Sequence, residues 1–151
     1  MRAMTHMALT LGLLTGGAAS QATVPSQFHG DWVPQKATCE SAPARLRVAA
    51  GNLTLINGKD TQTYGGLGVP TSYFGPDYRG ISVVAIADFE GAQPFTVYFN
   101  DNDKKGVTRV EIYVPMPAAT NPQIAKMQSA AKALATRFPI NNVPLKQCPK
   151  G

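Results

Sequence analysis

The chain has 151 residues, with 14 Lys and Arg against 9 Asp and Glu, a formal charge of +5. Its basic residues are scattered, only Lys104 and Lys105 being adjacent, which excludes the basic stripe of a nucleic-acid binder. Two cysteines and two histidines are too few for a His- or Cys-rich metal site, and no run approaches the roughly 20 apolar residues of a membrane span.

Residues 1–22 read as a secretory signal peptide. Arg2 is the one early charge, Ala8 to Leu14 is a short apolar core, and small residues run from Gly16 to Ala22. That order of charge, core and small residues is the export pattern, with cleavage expected near Ser20 or Ala22. Residues 23–151 then form a single domain of ordinary size. The domain keeps 13 Lys and Arg against 9 acids, or +4, a balance that suits attraction to an anionic envelope. A periplasmic or extracellular address makes Cys39 and Cys148 a disulfide pair rather than catalytic thiols or metal ligands. The bridge would join the start of the domain to its end.

The exported part opens on Phe28-His29-Gly30-Asp31-Trp32, closed by Pro34. Arg45 to Ala49 alternates polar and apolar residues, a strand period. Ala50-Gly51-Asn52 is a turn, Leu53 to Ile56 the returning strand, and Asn57-Gly58 the next turn. Thr61 to Tyr64 reads as a further short strand. From Gly65 to Gly80 the chain looks like one long irregular stretch. Ile81 to Phe89 is apolar on both faces, which predicts a central strand. Phe95 to Asn100 and Arg109 to Val114 alternate again and complete an antiparallel meander, with Asp101 to Gly106 as a polar turn.

The last element changes period. Ile124, Met127, Ala131, Leu134 and Phe138 form one helix face. Asn121 before Pro122 supplies a cap and a first-turn proline, and Pro139 ends the helix. The stripe predicts a helix lying over one side of the sheet, with a tail carrying Cys148 back to Cys39. The expected fold is α+β, mostly β: a meander able to close into a barrel, with a C-terminal amphipathic helix.

The Phe28-x-Gly30-x-Trp32 start with Cys39 nearby resembles small exported bacterial β-rich domains of unknown function. It is also similar to the G-x-W on the first strand of lipocalins and other calycins. That resemblance implies a barrel with a terminal helix, often around a small apolar ligand, and a basic residue packed across the Trp, for which Arg109 is the match here. The second lipocalin motif is missing and the chain is short for eight long strands. The simpler reading gives Gly30 and Trp32 a structural role as core anchor.

Other motifs fall short. His29, the one histidine outside the signal, has no flanking nucleophile signature. Ser129-x-x-Lys132 matches a penicillin-recognising motif without its companion triplets. Asp101 to Ile112 starts like a calcium loop but lacks the closing Glu. Asn52-Leu53-Thr54 is a glycosylation acceptor in a host that glycosylates.

The strongest candidate surface is the long stretch before Gly80. Tyr73, Phe74, Asp77, Tyr78 and Arg79 combine aromatic area with one acid and one base. Long loops in compact domains are usually functional or disordered, and aromatic density argues against disorder. Three functions stay open: a non-enzymatic binding module for an envelope protein or glycan, a carrier of a small apolar ligand, and a hydrolase using a carboxylate pair such as Asp77 with Glu111. No cofactor, metal or transmembrane anchor is expected.

Overall fold

A computed structural model of the chain describes residues 23–69, 71–73, 81–87, 95–101 and 105–150, with 71–73 and 81–87 described as backbone. Among the described residues a 3-10 turn at Ser26–Phe28, nine strands and one α-helix follow. The strands are β1 (Gly30–Pro34), β2 (Ala44–Val48), β3 (Leu53–Asn57), β4 (Asp60–Tyr64), β5 (Thr71–Tyr73), β6 (Ile81–Ala87), β7 (Phe95–Phe99), β8 (Thr108–Glu111) and β9 (Pro144–Gln147). The helix, α1, spans Pro122–Arg137 and precedes β9. The fold is mostly β with a C-terminal helix, as the patterning predicts.

All nine strands form one sheet in the order β4-β3-β2-β1-β9-β8-β7-β6-β5, and every ladder is antiparallel. Two meanders, β1 to β4 and β5 to β8, are therefore joined by the last strand. β9 pairs on one side with β1 (Trp32↔Gln147, Val33↔Lys146) and on the other with β8 (Thr108↔Leu145). It sits in the middle of the sheet, not in an unstructured tail. The apolar strand β6 is correspondingly next to the edge strand β5, not central, because β9 takes the middle position.

The sheet is strongly curled. Tyr64 on β4 and Phe95 on β7 stand six strands apart, about 29 Å in a flat sheet at the usual spacing. Their rings meet edge to face with centroids 4.8 Å apart. Trp32 and Phe99, three strands apart, are 5.8 Å centroid to centroid. The curl turns one sheet face inward as the core. Period-two alternation delivers Leu46, Val48, Leu53, Leu55, Phe95, Val97, Phe99 and Val110 to that face, and all are buried. Phe28 stacks on Phe99, and the Trp32 indole donates to the Phe28 carbonyl at 2.9 Å.

Turn chemistry agrees with these registers. Asn57 pairs with Asp60 across a two-residue turn, and Gly58 has φ +62, a conformation that favours glycine. The α1 cap is as expected, the Asn121 side chain accepting from the Gln123 and Ile124 amides.

The helix covers less than its apolar stripe predicts. Leu134 and Phe138 are buried, but every residue from Pro122 to Met127 is exposed. The curled sheet fills its own interior, so only the last turns of α1 find a place against it. Asn57 donates to the Arg137 carbonyl, and Arg137 reaches Asp60 and Gln62 on β4, holding that end down.

Cys39 and Cys148 are bonded, with Cα atoms 5.7 Å apart. The Cys148 amide also donates to Asp31 O at 2.8 Å. No helix among the described residues is long and apolar enough to cross a membrane.

Candidate functional site

Of the predicted contact residues, Tyr73 ends the edge strand β5, opposite Ile81. Phe74, Asp77, Tyr78 and Arg79 lie outside the described residues. The stretch from Gly65 is not all loop, since Thr71–Tyr73 is a strand. Its first part folds inward, with Leu67 buried and Val69 packed on the core. Gly30 and Trp32 lie on β1, Trp32 only 1% exposed.

The ordered chemistry is arranged around arginines, two clusters on the outer sheet face and a third joining α1 to the core side of β4. On the β7–β8 ladder Tyr98 stands opposite Arg109, whose guanidinium lies 4.3 Å from the ring centroid. Arg109 Nε donates to Asp101 at 3.0 Å, and Nη1 donates to Glu111 at 2.8 Å and to Asn142 at 3.0 Å. Arg109 thus does not pack across Trp32. It alternates with the buried Thr108 and Val110, so it faces the opposite side of the sheet from the indole. Burial opposes the Arg109 charge, yet hydrogen bonds to Glu111 and Asp101 outweigh it and raise its pKa. Burial, reinforced by Glu111, also pushes the Tyr98 phenol above its ordinary value.

A second cluster joins β1 and β2. Arg47 holds Asp31 with two hydrogen bonds, 2.7 and 3.0 Å, and Arg45 approaches the same carboxylate at 3.4 Å. The Arg47 hydrogen bond, opposed by burial, keeps the Asp31 pKa below its usual value. At the third cluster the Arg137 hydrogen bond likewise lowers Asp60. Asp31, Asp60, Asp101 and Glu111 are therefore all engaged by arginine. Asp31 and Asp60 are thereby stabilised as anions and poorly disposed to accept a proton. Glu111 is held by Arg109; its suggested partner Asp77 lies outside the described residues.

The lysines differ. Among the described residues Lys36, Lys59, Lys105, Lys126, Lys132, Lys146 and Lys150 hold no carboxylate. Arginine's planar fork suits paired recognition, whereas lysine is a mobile point charge. Lys132 lines a shallow groove of about 400 Å³ with Tyr113, Ala135, Thr136, Pro139 and Asn141. Ser129, three residues before it, is exposed on α1.

His29 is structural. Its Nε2 donates to the Val24 carbonyl at 2.7 Å, fastening the entering segment. Asp101 is bound by Arg109, where a calcium loop would turn it to a cation. No group of three or more His, Cys, Asp or Glu among the described residues could hold a metal. The chain matches no family model, no curated protein and no solved structure.

Proposed function

We propose that the protein is an exported, non-enzymatic binding module that meets an anionic partner at the cell envelope. The observation that carries this reading is the division of charge. The described arginines are engaged by the domain's own carboxylates, while its described lysines hold none, and all but the half-buried Lys146 are exposed. Among the described residues, what is offered to a partner is thus mainly positive charge, the lysines against the exposed Glu40. The pattern of charge, core and small residues before Ala22 supports export. The Cys39–Cys148 bridge suits an oxidising compartment. Tyr73 with Phe74, Asp77, Tyr78 and Arg79 supplies a further contact surface of aromatic type.

The test combines cell fractionation with capture. The protein is expected outside the cytoplasm, its N-terminus beginning after Ser20 or Ala22. It should retain an envelope component that high salt releases, and Tyr73→Ala with Tyr78→Ala should weaken retention. A chain that stays in the cytoplasm with residue 1 intact, or one that retains nothing, refutes the reading. A small apolar molecule held in native mass spectrometry would favour a ligand carrier instead.

A further inference from the structure

The stripe of α1 that buries Leu134 and Phe138 does not end where the sheet ends. Toward the N-terminus it continues through Ala131, Met127 and Ile124 at the same 4-3 spacing. Beyond the sheet those side chains emerge into solvent, Met127 at 37% and Ile124 at 45% exposure. The segment leading into the helix adds Val114 and Met116, 46% and 57% exposed. Ile124 and Met127 share one exposed helix face, and Val114 and Met116 lie exposed in the segment just before it, a concentration beyond the usual scatter of single exposed residues.

The charge here is one-sided. No acid occurs in residues 112–151, while Lys126, Lys132, Arg137, Lys146 and Lys150 do. Arg137 is paired with Asp60. Lys126 and Lys132 flank the stripe on α1 and, among the described residues, hold no carboxylate. An apolar helix face bordered by lysines is the composition of a helix lying in a membrane interface. Lysine stems can lie along the apolar boundary while their ammonium groups reach phosphate.

We infer that the overhanging half of α1, with Val114 and Met116, docks on an anionic phospholipid surface. This deepens the envelope reading and rests on it. A second copy fits the face poorly. A two-fold contact sets each patch against its own image, so the lysines would meet lysines, and residues 112–151 offer no acid to answer them.

The experiment sediments the disulfide-bonded exported protein with vesicles of phosphatidylcholine alone and of phosphatidylcholine mixed with phosphatidylglycerol. Binding is expected to the mixed vesicles only, with release by high salt. Each lysine at an anionic surface is worth roughly fivefold in partitioning, so Lys126→Gln with Lys132→Gln should lower binding roughly 25-fold. Ile124→Ser with Met127→Ser should lower it at least about tenfold. Both pairs sit on surface positions of α1, so unchanged melting temperatures certify the fold.

Equal binding to pure phosphatidylcholine, no binding to either vesicle, or variants that partition like the parent would each overturn the inference. So would a dimer that Ile124→Ser with Met127→Ser splits while vesicles are ignored, or retention of an acidic protein without any lipid binding. Failure with export intact leaves the envelope reading standing. Retention in the cytoplasm overturns that reading whatever the vesicles show.

Discussion

Replacing Cys39 and Cys148 together by Ser removes a cross-link between residues 109 apart in sequence. The native contacts around it survive: β9 keeps its ladders to β1 and β8, and the Cys148 amide keeps Asp31 O. The loss therefore falls on the unfolded chain, which regains the freedom that closing such a loop removes. The chain-entropy relation gives about 4.8 kcal/mol for this loop length. Urea unfolding followed by circular dichroism measures it. At a slope of about 2 kcal/mol per molar, the midpoint falls by about 2 M. The slope itself should rise, because the freed unfolded chain exposes more surface. At about 4 °C per kcal/mol for a domain of this size, melting falls by about 15–20 °C. A midpoint shift below about 0.5 M with an unchanged slope would refute the argument that the bridge acts through the unfolded state.

Thr108 is fully buried, and its hydroxyl has no hydrogen-bond partner among the described residues. Thr108→Val replaces that orphan group with a methyl of similar shape and should leave stability unchanged or raise it by up to about 1 kcal/mol. A clear loss in urea would show that the hydroxyl has a partner. Asp31 carries a lowered pKa in the folded protein, chiefly through Arg47, so the unfolded chain takes up that proton first as pH falls. The pair's stabilisation is full above the ordinary carboxylate range near pH 4 and is lost as pH drops through the lower folded value. Asp31→Asn should be less stable than the parent at pH 7, with the gap closing in acid; a gap constant down to about pH 2 contradicts this. Tyr98 has a raised pKa, so its phenolate absorbance should appear later than that of free tyrosine on alkaline titration. The linked stabilisation is complete below about pH 10 and is lost above it. Tyr98→Phe should delete that late step.

Local periodicity makes most elements legible, and the misses share a physical cause: they depend on which partner fills a position. Arg45 to Val48 and Phe95 to Phe99 alternate cleanly because one sheet face is core and the other solvent. Pro144 to Gln147 shows almost no alternation, with Leu145 alone buried. It is a strand because β1 and β8 both need an inner neighbour, which is a property of topology. The helix stripe is visible in the sequence, but its covered length depends on how tightly the sheet curls, and no local pattern encodes that. Likeness to another fold points Arg109 at Trp32, whereas its alternation with Thr108 and Val110 puts it on the other face. The lack of acids after Glu111 is plain in the sequence, but it acquires meaning only once Ile124 and Met127 are found in solvent.

The position of β9 carries a consequence for how the protein comes into being. Residues 144–147 leave the ribosome after every other strand, yet they form the middle of the sheet. Until they arrive, each meander has an open edge where its central neighbour belongs, and Cys39 has no partner. A nascent chain built this way cannot finish folding before its last strand is made. Its two halves become one body only when β9 is delivered, and the bond to Cys39 then seals the arrangement behind it.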